Sequence, residues 1–426
     1  MPGPAAKTPT EVGGHAEKLR SFAERTLLPR LEVSTRDFIL GLALTYRFTF
    51  QDLRQTAQAA RDLEMWREQS FESLWADLES ATPGSGRERK KTLLRSLQKR
   101  LQELSRGPKT YPEPGLVPPP RRRVRLEERQ TDKEVLGLCP AYSDQTVCCG
   151  LYTLDAVRGC PFGCSYCTIQ TFYGETAELE ADLSTKLAAI ELDPNRRYHI
   201  GTGQSSDSLV WGNRGDQLRA VLEFAAAHPN VLLELKTKSD NLGYLLEAQV
   251  PHNVVCSWSL STDTLIRNEE HYTANLQRRL DAARSVADSG IKVAFHFHPM
   301  VHYLGWRTGY SEVARQLVQR FSTSEVAFLS MGSVTLIKPV VQEIRRRGGD
   351  TKILQMELVP DAHGKLTYPD AIKLELFRHL YRELKPWHAG VFFYLCMEPT
   401  QIWERTFGYA YATNEAFEED FLGALL

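Results

Sequence analysis

No apolar run in this chain approaches the length of a membrane-spanning helix. Its first twenty residues, MPGPAAKTPTEVGGHAEKLR, lack the apolar core of a secretory leader. Both absences predict a soluble, cytoplasmic protein with no membrane partner. The chain also lacks an excess of charge: 52 Lys and Arg stand against 53 Asp and Glu, a net charge of -1. That excludes the strongly basic balance of an obligate nucleic-acid binder and confines any phosphate contact to a local patch. Cysteine is scarce, eight in 426 residues, too few for a disulfide scaffold. Yet Cys139, Cys148, Cys149, Cys160, Cys164 and Cys167 fall in one short window, which points to metal or thiol chemistry. With 42% hydrophobic residues the chain can bury sizeable cores, so disorder is excluded and two or three domains are expected.

Residues 14 to 106 read as helices, because apolar residues such as Phe38, Leu42, Tyr46 and Leu63, Trp66 recur at three- and four-residue steps. Ser34-Thr35 and Thr49 are candidate N-caps, and a packing domain is favoured over a DNA-reading helix pair. The proline-rich segment from Gly107 to Pro120 cannot sustain a helix or a central strand. The basic run Arg121 to Arg125 follows, with Glu127 and Glu128 directly after it, the pattern of a solvated face. The expected division is an N-terminal helical region (1–106), a linker (107–145), a partial barrel (146–345) and a C-terminal extension (346–426).

Beyond residue 150 short β-branched runs alternate with amphipathic helical stretches. Strands are predicted at 154–157, 198–203, 231–237, 253–259, 292–299 and 325–331. Six strand-helix units predict an α/β fold, a partial (βα)6 TIM-type barrel, rather than a doubly wound sheet. Side chains alternate along a strand, so Glu234, Lys236 and Lys238 share one face, toward a polar cavity, and Leu233 and Leu235 share the other. By the same argument Ser257 and Ser259 lie on one face of the next strand, opposite Cys256 and Trp258.

After the first predicted strand, Arg158 to Thr171 reads RGCPFGCSYCTIQT, which sets Cys160, Cys164 and Cys167 at a C-x3-C-x2-C spacing. Three thiolates on a four-iron cluster leave one iron open for a ligand. The alternative is a structural zinc ion borrowing a fourth ligand from Cys148, Cys149 or His199. Gly159, Pro161 and Gly163 allow the backbone a tight turn round such a group.

This loop resembles that of the radical S-adenosylmethionine (SAM) enzymes, and within them the chain resembles spore photoproduct lyases over residues 145 to 345. The resemblance rests on Cys164 to Thr171, Thr237-Lys238, Trp258-Ser259, Asn275 to Gly290, Leu304-Gly305-Trp306 before Gly309-Tyr310, and Thr335 to Pro339. It implies a [4Fe-4S] cluster on Cys160, Cys164 and Cys167, with S-adenosyl-L-methionine chelating the open iron. Reductive cleavage to a 5'-deoxyadenosyl radical would follow, fed by an electron donor such as a flavodoxin or ferredoxin. It further implies that Ser206, Lys238 and Ser259 line the SAM pocket, with Gly201 and Gly203 facing its amino group. The backbone of His298 would lie beside the adenosine, and Tyr166 near the cluster. The implied activity is a carbon-carbon lyase repairing a DNA photolesion, so the expected substrate is damaged DNA or a nucleotide.

Three positions depart from that family's pattern. Ser205 stands where the lyases return hydrogen from a cysteine, and Thr168 where they carry a tyrosine. Their DNA-entering hairpin is reduced to Val359–Tyr368. Cys396 and Tyr394, which share a face of the strand-like run 392–397 with Glu398, are the replacement candidates for hydrogen return. A radical SAM enzyme acting on another nucleotide or small molecule therefore stays open, as does a non-catalytic iron-sulfur interaction protein. His296, His298 and His302 read as hydrogen-bonded histidines on a cavity wall, although His296 and His298 share a face that could bind metal. Cys256 points outward as a small apolar residue, and Cys139, Cys148 and Cys149 match no motif.

Overall fold

The computed structural model describes residue 17 and residues 19–426, which fall into two compact units. Most of the first twenty residues, on which the expectation about a leader falls, lie outside the described residues. The first unit takes in residues up to 119 together with 338–357, and the second residues 120–337 with 358–426.

In the first unit four helices, α1 (Val33–Thr45), α2 (Phe50–Trp66), α3 (Phe71–Ala81) and α4 (Gly86–Arg106), bury Ile39, Leu53, Ala57, Trp75 and Leu93 in a common core. Thr49 caps α2 through a capping box: its hydroxyl accepts from Asp52 N at 3.2 Å, and the Asp52 carboxylate accepts from Thr49 N at 2.9 Å. Ser34 and Thr35 do not cap α1, which starts one residue before Ser34. Thr35 instead donates to Glu72 at 2.5 Å, across to α3. The helix Lys338–Arg347 belongs to this unit as well, its Arg345 paired with the buried Asp62 at 2.7 Å. Burial pushes the Asp62 carboxyl up, against the pull of Arg345. The helical unit is thus not confined to residues before 107.

The second unit is built on one eight-stranded sheet. In chain order its strands are β1 (Leu136–Leu138), β2 (Tyr152–Leu154), β3 (Tyr198–Thr202), β4 (Val231–Thr237), β5 (Val254–Ser259), β6 (Lys292–Met300), β7 (Val326–Ser333) and β8 (Phe392–Leu395). They pair in that same order, β1 antiparallel to β2 and every later pair parallel. Helices α5 (Gln217–Ala227), α6 (Leu276–Asp288) and α7 (Trp306–Arg320) follow β3, β5 and β6. Parallel strands need such crossovers, and a sheet curled this way sets the carboxyl ends of its strands along one rim.

Two parts of this unit differ from the sequence expectation. The stretch 107–145 is not wholly a linker, since past the proline run that ends at residue 120 the backbone donors of 121–139 are free to pair. Arg125–Arg129 runs parallel to Thr176–Glu180, and Leu136–Leu138 is the edge strand β1. From residue 358 on, the C-terminal extension is part of the barrel unit. It supplies β8 and the helix α8 (Asn414–Leu425), whose Phe421 ring lies 5.2 Å from that of His199, 5.4 Å from Phe328 and 5.5 Å from Tyr394. Those apolar rings fill the inner face of the sheet at that end.

Gly203 ends β3 with φ +92, and a Cβ there would stand 2.5 Å from the Lys236 carbonyl oxygen. Gly203→Ala should therefore cost about 1 to 3 kcal/mol through backbone strain. Urea unfolding of the metal-free chain checks this: the midpoint should fall with an unchanged slope.

Candidate metal and cofactor site

The cysteine loop does not follow β2 directly. After β2 the chain forms Val157–Arg158, which pairs antiparallel with Thr176–Glu180, and only then turns into Gly159. Gly159 takes φ +103, where a Cβ would press on Ala177 at 3.0 Å. The loop is tied to the residues after β3 at both backbone atoms of this glycine: Gly159 N donates to Ser205 O at 2.7 Å, and Ser206 Oγ donates to Gly159 O at 2.7 Å. Farther along, Gly163–Cys164 pairs with Glu270–His271, and Ser165 N donates to Glu269 O at 2.8 Å. The Cys164 carbonyl accepts from Cys167 N at 3.1 Å and from Gln170 Nε2 at 2.7 Å. The positions of all three cysteines are thereby set by backbone bonds.

Next to Ser206, the buried Asp207 joins that anchor to the rim of β4. Its carboxylate accepts from Thr237 Oγ1 at 2.7 Å, Lys238 N at 2.6 Å, Leu209 N at 3.1 Å and Val210 N at 3.0 Å. Burial nevertheless pushes this carboxyl up from its ordinary value. The Lys238 ammonium lies 5.9 Å from the centre of the Tyr166 ring, inside cation-π range. The Tyr166 hydroxyl donates to Glu270, which is paired with the fully buried Arg279 at 2.6 Å. Arg279 also donates to the carbonyl of Ser259 at 2.8 Å. Cys160, Cys164, Cys167, Tyr166, Ser206, Lys238 and Ser259 are thus linked through one network at the carboxyl ends of β3, β4 and β5.

Sequence reasoning missed Asp207, Glu270 and Arg279. Arg279 lies inside the matched stretch Asn275 to Gly290, and Asp207 ends the Gln-Ser-Ser-Asp run. Only the fold shows that both are buried tethers.

The thiols suit a metal cluster. Burial pushes Cys160 and Cys164 up from the ordinary thiol value, and each is raised further by its neighbours in the loop. Thiols so placed are poor anions until a cation takes the protons' place. Among the described residues no three His, Cys, Asp or Glu side chains gather round a single ion-sized point. Three cysteines that each take a different iron need not do so, whereas a zinc ion requires its donors about 2.3 Å from one centre. His199, a candidate fourth zinc ligand, faces elsewhere, bonded to Glu234 at 2.9 Å.

The inner face of the sheet carries a second group. Glu234 holds His199 and also His296 at 2.5 Å, and accepts from Ser257 at 2.5 Å. Burial drops His296 to about 4, so it is neutral at pH 7. Ser330 bridges His296 at 2.5 Å and His298 at 3.1 Å. These histidines are hydrogen-bonded, as their spacing suggested, but their carboxylate partner comes from a different strand. Lys236, His298, Tyr394 and Cys396 line a cavity of about 160 Å³ beside this network. Gly201 pairs with Glu234 in the sheet, and Gly203 packs on Lys236. Glu398 instead pairs with Lys373 at 2.8 Å, and Cys256 is fully buried.

Removing the guanidinium in Arg279→Met leaves Glu270 buried without its partner and should cost about 3 to 5 kcal/mol at pH 7. Burial alone would raise the Glu270 carboxyl, but Arg279 and Lys238 outweigh it and hold it below the ordinary 4.5. Its stabilisation is therefore present above 4.5 and is lost as the pH falls through the lower folded value. The difference in unfolding free energy between the two proteins should shrink below pH 4.5. Denaturant titrations at neutral and acid pH measure it.

A family model described as spore photoproduct lyase matches residues 142–357. The spore photoproduct lyase of Clostridium acetobutylicum is 25% identical over 183 residues, 42% of this chain and 54% of that protein. That of a Geobacillus species is 25% identical over 210 residues, 47% of this chain and 62% of its own. The chain thus spans little more than half the length of the curated relatives it matches. Two solved structures each align with a TM-score of 0.55 at 22% identity over 63% of this chain and 82% of theirs. One is a spore photoproduct lyase complexed with dinucleoside spore photoproduct, and the other a double mutant with that ligand and bound AdoMet. Their fold is the partial barrel described here. With just over half of its residues under the family model, the chain belongs to the spore photoproduct lyase family of radical SAM proteins.

Proposed function

We propose that this protein is a radical SAM enzyme that repairs a DNA photolesion of the spore photoproduct type. The observation that carries the proposal is the tether of the three-cysteine loop to the rim through Ser206 and Asp207. Cys160, Cys164 and Cys167 would hold a [4Fe-4S] cluster, which would supply reductive cleavage of S-adenosyl-L-methionine with an electron from a flavodoxin- or ferredoxin-like donor.

The remaining roles belong to the chain's own groups. Lys238 supplies the cation for the cofactor's carboxylate, and its backbone N–H is fixed by Asp207. Ser259 and the backbone of His298 would flank the adenosine, and the backbone of Gly201 and Gly203 would face the cofactor's amino group. The Ser206 hydroxyl is already bonded to Gly159 O and Trp211 Nε1, so it acts on the cofactor by positioning the loop. Tyr166 closes the other side, held by Glu270. Hydrogen return to the substrate falls to Tyr394 or Cys396 on the cavity wall, since Ser205 offers a strong O–H bond and its carbonyl serves the loop.

One observation favours a second reading, a nucleotide or small-molecule substrate. The hairpin that would enter DNA has strands of two residues each, Val359–Pro360 and Leu366–Thr367. Its His363 is occupied by Ser143 at 2.5 Å. Lifting a lesion from a duplex costs a few kcal/mol and calls for a wedge and phosphate contacts.

The test is the reduced, cluster-loaded chain with SAM and dinucleoside spore photoproduct. Repair is expected to give 5'-deoxyadenosine together with the unlinked dinucleoside. 5'-Deoxyadenosine without repair would overturn the lyase in favour of the second reading, and neither product would overturn both. Cys160→Ala, Cys164→Ala and Cys167→Ala should each abolish cleavage. Lys238→Ala should keep the cluster spectrum but weaken SAM binding by about 1 to 3 kcal/mol, read by equilibrium titration.

A further inference from the structure

Four cysteines outside the loop meet at one place. Cys139, Cys148, Cys149 and Cys396 all line the cavity of about 160 Å³ on the inner face of the sheet. They come from distant parts of the chain. Cys139 follows β1, Cys148 and Cys149 precede β2, and Cys396 follows β8, so the two edges of the sheet both contribute. An antiparallel bridge between Val147 and Glu398, with Val147 N donating to Glu398 O at 3.1 Å, joins those edges. Three of the four cysteine backbones are pinned. Cys139 N donates to Leu151 O at 2.9 Å, Cys148 N to Asn414 Oδ1 at 2.8 Å, and Cys396 N to Met331 O at 2.8 Å.

The surroundings suit an anionic group bound by thiolates. The Lys236 ammonium faces the same cavity and makes no hydrogen bond or ion pair within the described residues, although the carboxylate of Glu234 is near. Four thiolates select zinc or an iron-sulfur cluster. A zinc ion needs all four about 2.3 Å from one point, an arrangement that no three such side chains adopt among the described residues. The cavity equals about five water volumes, more than one ion requires.

We propose that Cys139, Cys148, Cys149 and Cys396 ligate a second, fully cysteine-bound iron-sulfur cluster inside the barrel, with Lys236 offsetting its negative charge. The cluster would take over the part of the cavity wall where Cys396 was offered above for hydrogen return, so it bears on that role and not on the cysteine loop. A ligating Cys396 has no S–H to give, which leaves Tyr394, its hydroxyl beside Ser330, as the cavity's hydrogen donor.

Iron and acid-labile sulfide per chain, with native mass spectrometry of the anaerobically reconstituted full chain, test this directly. The wild type should exceed the about four irons that the loop accounts for. The triple variant Cys160→Ala, Cys164→Ala, Cys167→Ala should keep a cluster whose electron paramagnetic resonance spectrum ignores SAM. Cys148→Ser with Cys149→Ser should lose that cluster yet still cleave SAM. A wild type that stops at about four irons, or stoichiometric zinc in place of the extra iron, would overturn the proposal. Because the wild-type count needs no variant to fold, a misfolded variant cannot decide the matter.

Discussion

A loop of three cysteines can serve a cluster only if its backbone cannot relax, and here that rigidity comes from two adjacent residues after β3. Ser206 holds the carbonyl of Gly159 at the start of the loop, and Asp207 holds Thr237 and Lys238 at the end of β4. One buried turn therefore ties the three-cysteine loop to Lys238 at the end of β4. The carboxylate of Asp207 tolerates burial because four donors satisfy it. The glycines on either side follow from the same closeness, since Gly159 and Gly203 both hold positive φ with backbone pressed against the place a Cβ would take.

Around this turn the sheet separates two chemistries. The rim carries the cysteine loop, Tyr166 and the Glu270–Arg279 pair. The inner face carries the Glu234 carboxylate with its histidines, and beyond them a thiol-lined cavity under Lys236. Neighbouring positions on one strand serve both, Lys238 at the rim and Lys236 inside. The C-terminal residues close the inner face from below with Phe421 and supply its last strand. The segment beyond residue 357 is thus as much part of this sheet as the family-matched core.

What could be read from the sequence was whatever depends on spacing within one element. The cysteine loop is a local motif, and the cavity-facing alternation of Glu234 and Lys236 follows from the period of a strand. The network round Glu234 could not be read, because its partners stand 35 and 62 residues away in sequence and nothing local marks them as neighbours. The same holds for Cys139, Cys148 and Cys149, which match no motif until the bridge from Val147 to Glu398 brings them to Cys396. The strand β8 is only four residues of aromatic and apolar character, too short for its pattern to say which sheet it joins. The linker was extended too far because the dense run of prolines ends at residue 120 while the charged run after it is a strand, with Glu127 and Glu128 standing in the ladder opposite Glu178 and Leu179.

The central claim is that Cys160, Cys164 and Cys167 leave one iron open to S-adenosyl-L-methionine at a rim organised by Asp207. Low-temperature electron paramagnetic resonance of the one-electron-reduced, cluster-loaded chain, recorded before and after SAM is added, tests it most directly. The account predicts that SAM changes the g-values of the loop cluster, and that Asp207→Asn weakens the SAM dependence of that change without removing the iron. An identical spectrum with and without saturating SAM would contradict it.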